Sequence, residues 1–103
     1  MADTPEAKVK KKIKAVLNDN NIYYAMPVGS GYGNSGVPDF ICCVCGYFIA
    51  IEAKAGKGTT TALQDKHLKQ IKDCGGVALV INEANMADLE LHIEMAKNVT
   101  KEK

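Results

Sequence analysis

At 103 residues the chain has room for one domain, residues 1–103, built on one modest core. Hydrophobic residues at 47% and charged residues at 24% are ordinary for a packed domain and exclude a disordered or collagen-like chain. The formal net charge of +1 argues at first sight against a nucleic-acid partner, but residues 1–72 hold ten lysines against six acids and residues 73–103 hold three against six, so a basic front is followed by an acidic back.

No arginine is present, so any phosphate contact is a point-charge contact and not a bidentate fork. Sequence-specific reading of guanine edges is therefore not expected. The longest apolar run, Phe40 to Val44 resumed at Tyr47 to Ile51, is broken by Gly46 and falls far short of the ~18 residues of a membrane span. The opening Met-Ala-Asp-Thr-Pro-Glu leads into lysines without an apolar stretch, so a cytoplasmic location is expected.

In chain order, Thr4, Pro5 and Glu6 read as N-cap, first helical position and acidic first turn. Val9, Ile13, Val16 and Leu17 then recur at helical spacing, predicting a helix from Pro5 to Asn18. Ile22 to Val28 reads as a strand and Gly29 to Gly36 as a glycine-rich loop. Asp39 to Val44, the turn Cys45-Gly46, and Tyr47 to Lys54 form a predicted hairpin, followed by a loop at Lys57 to Thr60. A second helix is predicted from Thr61 to Cys74, with Leu63, Leu68, Ile71 and Cys74 inward, before Gly75-Gly76. Val77 to Ile81 is an apolar strand, and Asn85 to Lys97 a third helix with Met86, Leu89, Ile93 and Ala96 on one stripe. The polar tail Asn98 to Lys103 is expected to fray. The predicted order is α-β-β-β-α-β-α.

Two patterns lose their first reading on inspection. Gly31-Tyr32-Gly33-Asn34-Ser35-Gly36 spells the dinucleotide fingerprint, but Pro38 and an apolar β-run follow where a helix would have to open. No nucleotide cofactor is expected; the loop reads as a flexible segment able to close over a substrate or bring its amides near a phosphodiester. Cys42 and Cys43 are adjacent on a strand and point to opposite faces, and no C-x-x-C pair occurs, so Cys42, Cys43, Cys45 and Cys74 read as buried small hydrophobes and not as a zinc site or disulfides.

The ionisable residues of the hairpin carry the chemistry. With a two-residue turn at Cys45-Gly46, paired residues have numbers summing to 91, so Asp39 lies opposite Glu52 and shares its face. Lys54, two residues beyond Glu52, lies on that face too. Two like charges side by side among apolar neighbours are costly without a cation. Either a hard divalent ion sits between them, Mg²⁺ or Mn²⁺ with open positions for water and phosphate oxygens, or Lys54 neutralises one carboxylate in a structural cluster.

Gly36-Val37-Pro38-Asp39-Phe40 followed by Ile51-Glu52-Ala53-Lys54 resembles the P-D…(D/E)-x-K signature of restriction-endonuclease-like nucleases. With Gln64 in the next helix and Gly75-Gly76 before an apolar strand, the resemblance is to the VRR-NUC family, the virus-type replication-repair nucleases, in a short stand-alone form similar to viral or phage members. That resemblance implies an α/β restriction-endonuclease-like core with a central mixed sheet flanked by helices. It implies a Mg²⁺- or Mn²⁺-dependent deoxyribonuclease, with Asp39, Glu52 and the main-chain carbonyl of Ala53 as metal ligands and Lys54 as catalytic lysine. Glu6 matches by position an acidic residue that often completes the site in such families, although a helix dipole also favours Glu there. Gln64 matches the family's helical glutamine, and Thr61-x-x-Gln64 is equally a capping box.

Similarity to archaeal Holliday junction resolvases implies a homodimer acting on branched DNA, in the host cytoplasm if the protein is viral. A dimer also follows from the task, since one metal site per domain cannot make two symmetric incisions. Lys8, Lys11, Lys12, Ser35 and Lys57 are the candidate DNA-backbone contacts, although the run of lysines 8, 10, 11, 12 and 14 also suits a solvated helix face. Tyr23, Tyr24, Met26 and Tyr32 either stack on bases, line an interface or, for the first three, pack in the sheet. A non-catalytic branched-DNA binder and a metal-free interaction protein remain alternatives at this stage.

Overall fold

The computed structural model of the chain describes residues 3–28 and 36–101. Its elements are α1 (Pro5–Asp19), β1 (Tyr23–Ala25), β2 (Phe40–Val44), β3 (Tyr47–Ala53), α2 (Ala62–Asp73), β4 (Val77–Ile81) and α3 (Met86–Lys101). The order is the one expected from the sequence. The strands form one mixed sheet in the order β1-β2-β3-β4, antiparallel except for the parallel β3–β4 pair that α2 connects.

Local chemistry starts and stops most of these elements where the sequence places them. The Thr4 hydroxyl accepts from the Ala7 N–H at 3.1 Å, with Pro5 opening α1. Thr61 and Gln64 form a reciprocal capping box at the start of α2. Cys45 and Gly46 have φ of 51° and 89°, the paired positive values of a type I′ turn, whose twist matches that of the flanking strands. That turn sets Val44 against Tyr47 and Phe40 against Ile51, the register expected from the two-residue loop.

Alternation along β3 divides the packing. Ile49, Ile51 and Ala53, with Phe40, Cys42 and Val44 of β2, face α1 (Val9, Ile13, Leu17) and α3 (Leu89, Ile93, Ala96) in the main core. The other face of β3 carries Phe48, Ala50 and Glu52, and α2 covers it: Gln64 bonds to Glu52, and Gly76 brings the chain against Ile71 and Phe48. Burial pushes the Cys42 thiol up to about 11, so it stays a neutral, inert part of the core.

Several sequence expectations need correction. β1 spans three residues and not Ile22 to Val28, because β2 begins at Phe40 and Pro27 has no N–H to donate. α3 continues through Lys101, past the expected end at Lys97, since Val99 extends the apolar spacing and lines a cavity with Tyr47 and Val77. Leu63 and Cys74 are exposed although their spacing pointed inward, because α2 packs through Leu68 and half-buried Ile71. Cys43 and Cys45 are exposed and Tyr23 is 77% exposed, because among the described residues no helix lies over the β1–β2 half of the α2 face. Among the described residues no helix is long and apolar enough to cross a membrane.

Candidate active site

The site lies where β3 and β4 end and α1 and α2 begin. Asp39 stands just before β2, one step beyond the Phe40–Ile51 pair, and its continuation of the register brings it to Glu52. One carboxylate oxygen, Oδ2, accepts from the Ala53 N–H at 2.8 Å. Lys54 N–H donates in the opposite direction, to the Ile81 carbonyl of β4 at 3.0 Å. Backbone groups alternate sides along a strand, so the Ala53 carbonyl lies on the Asp39 side with its N–H.

Glu52 is 3% exposed, the one charged side chain in the buried set. Its Oε2 accepts from Gln64 Nε2 at 3.1 Å and lies 3.8 Å from the Lys54 ammonium. Gln64 also uses its Oε1 to accept from the Thr61 N–H at 2.9 Å, so the two sequence readings of this residue, helix cap and neighbour of the acidic site, hold together. The site therefore inherits its geometry from the first turn of α2: the cap that starts the helix also aims the amide that holds Glu52.

The electrostatics record what the fold has placed together. Burial, then the Asp39 charge and a hydrogen bond to Asp39, push the Glu52 carboxyl up to about 7, and Glu6 adds to the effect while Lys54 opposes it. At neutral pH the pair is thus poised between one and two negative charges, and a cation shared by both would settle it as two. Carboxylates and a main-chain oxygen are the donors a hard divalent ion takes. Among the described residues no three His, Cys, Asp or Glu side chains stand close enough together to hold a metal by themselves.

Glu6 does not stand with Asp39 and Glu52 as a third donor; its carboxylate pairs with Lys10, whose ammonium lies 3.7 Å from Glu6 Oε2 and 3.4 Å from Asp39 Oδ1. Lys10 is the residue that sequence reasoning missed, although its position four after Glu6 marks it as sharing that side of the helix. Lys8 and Lys12 lie roughly 160° around α1 from Lys10 by helical geometry. With Pro5, Val9, Lys11 and Glu83 they line an open cavity of about 440 Å³. Gly56 N–H donates to Glu83 at 2.7 Å, tying the loop that carries exposed Lys57 to this flank. Lys8, Lys11, Lys12 and Lys57 therefore belong to one flank and Lys10 to the acidic site itself. Ser35 and Tyr32 lie outside the described residues.

Comparison with solved structures finds this architecture in other proteins. A VRR_NUC domain protein superposes with a TM-score of 0.67 over 91% of this chain and 92% of its own, at 17% identity. Archaeoglobus fulgidus Hjc, a Holliday junction resolvase from an archaeal hyperthermophile, superposes with a TM-score of 0.56 over 75% of this chain and 69% of its own, also at 17% identity. The likeness establishes the fold: the restriction-endonuclease-like α/β core expected from the sequence is the one this chain adopts. No protein-family model matches the sequence, and no curated protein matches it.

Proposed function

We propose that this protein is a VRR-NUC-type, PD-(D/E)XK nuclease that hydrolyses phosphodiester bonds of branched DNA with Mg²⁺ or Mn²⁺. The observation that carries the reading is the meeting of Asp39, Glu52 and Lys54 on one face of a hairpin, in a fold shared with a VRR_NUC domain protein and a Holliday junction resolvase. Asp39, Glu52 and the Ala53 carbonyl are the groups that would hold the ion. When bound, such an ion lowers the pKa of a water ligand and offsets charge developing on the phosphate.

The chain's own residues supply the rest. Lys54, its side chain 13% exposed, is held beside Glu52, and its assigned role is to orient the attacking water and stabilise the charge of the transition state. Gln64 fixes the Glu52 rotamer. Lys8, Lys11, Lys12, Lys57 and Ser35 are assigned to the DNA backbone, a contact set that reads shape and charge and not base sequence. Two incisions across a four-way junction require two such sites, so the acting species is a homodimer.

The test is cleavage of a labelled four-way junction and a linear duplex with Mg²⁺, with Mn²⁺ and with EDTA. Metal-dependent cleavage of the junction is expected, with at least about a hundredfold loss in Asp39→Asn and Lys54→Ala. Tight binding of the junction without cleavage in any metal would instead make the protein a branched-DNA binder.

A further inference from the structure

We propose that Lys10 is the built-in counter-ion of the acidic site, that it sets how tightly the site takes a divalent cation, and that Glu6 acts on the site through it. The inference rests on the reading of Asp39 and Glu52 as the groups that hold metal. The two oxygens of Asp39 have different duties. Oδ2 already accepts from the Ala53 N–H at 2.8 Å, whereas Oδ1, which has no backbone partner of that kind among the described residues, is the atom 3.4 Å from the Lys10 ammonium. Lys10 and an incoming divalent ion therefore compete for the same carboxylate.

The two ammonium groups of the site differ in how easily they yield. Lys54 directly follows β3, beside Glu52, and its side chain is 13% exposed, whereas that of Lys10, on α1, is 31% exposed. The Lys10 contacts at 3.4 and 3.7 Å, like the Lys54 contact at 3.8 Å, are longer than the 2.7–3.2 Å of a direct N–H···O bond and are charge attractions, so the greater exposure of Lys10 is what lets a stronger cation displace it. Glu6 Oε2, 3.7 Å from the same ammonium, is a second carboxylate able to retain it once it has left Asp39. Glu6 thus draws Lys10 off the site, which accounts for its helical position beside the acidic pair without making it a ligand.

The experiment is calorimetric titration of the full chain with Mn²⁺ alone, without DNA, in low salt. Wild type is expected to bind and Asp39→Asn not to. Lys10→Met, which keeps the length and removes the charge, binds about tenfold more tightly, because a unit charge some 5 Å from a divalent ion opposes it even at a water-like dielectric. Lys10→Arg stays within about threefold of wild type. Lys72→Met, with the same loss of charge roughly 12 Å along α2 from Gln64, stays within about threefold. Glu6→Gln weakens binding about threefold in wild type and clearly less in the Lys10→Met background, where only the through-space pull of the Glu6 charge on the site is left.

The proposal is overturned if Lys10→Met binds no more tightly than wild type, or if Lys72→Met tightens binding as much. A Glu6→Gln effect of equal size in the Lys10→Met background means that Glu6 acts on the site directly and removes its action through Lys10. Failure of wild type to bind, or binding by Asp39→Asn equal to wild type, overturns the metal-site reading itself and this inference with it.

Discussion

Replacing Glu52 by glutamine should stabilise the metal-free protein, and by an amount that depends on pH. In the folded chain the carboxyl is raised from the ordinary 4.5 to about 7, chiefly by burial and then by Asp39. The folded state therefore holds a proton more tightly than the unfolded state, and between these values stability falls as pH rises. The contribution is fully present below about pH 4.5 and lost by the time the pH has passed 7. At about 1.4 kcal/mol per tenfold change in proton affinity, ionising Glu52 in the folded state costs on the order of 3 kcal/mol.

Glutamine mimics the protonated acid: its Nε2 donates toward Asp39 and its Oε1 accepts from Gln64, so neither neighbour is orphaned. Thermal melts in EDTA should then coincide for the two proteins near pH 4.5 and diverge by at least about 10 °C at pH 8, with the variant higher. Adding Mn²⁺ at pH 8 should raise wild type and leave the variant in place, because binding to the native state alone stabilises it. A difference that is the same at both pH values, or a variant that melts below wild type at pH 8, would refute the account of the buried pair.

Two further outcomes separate local from catalytic roles. Gln64→Ala and Thr61→Ala each remove half of the capping box and should each lower stability by about 1 kcal/mol in a urea melt. Only Gln64→Ala also releases Glu52, so a loss of cleavage rate in that variant and not in Thr61→Ala isolates the hydrogen bond at the site. Gly36→Ala would set a Cβ 2.6 Å from Leu63 Cγ and 2.7 Å from the Leu63 carbonyl oxygen. Backbone of α2 cannot yield cheaply, so the variant should lose about 1–3 kcal/mol, measured by its melting temperature; an unchanged melt would mean the loop before Asp39 adjusts its distance from α2.

Much of the fold and of the site was legible in the sequence because short-range rules decide it. Thr4-Pro5, the Thr61–Gln64 box and the Cys45-Gly46 turn act within a few residues, and a two-residue hairpin turn leaves the register no choice, so Asp39 had to meet Glu52. Lys54 followed from the period of a strand. What short-range rules do not reach is how one element is laid against another. The sequence marks a run of lysines on α1, but only the angle at which α1 crosses the sheet sends Lys10 to Asp39 and leaves Lys8 and Lys12 beside Glu83. The same holds for Cys42, buried, and Cys43, its exposed neighbour: the residue types are identical, and the placing of α1, α3 and α2 over only parts of the sheet decides which one meets water.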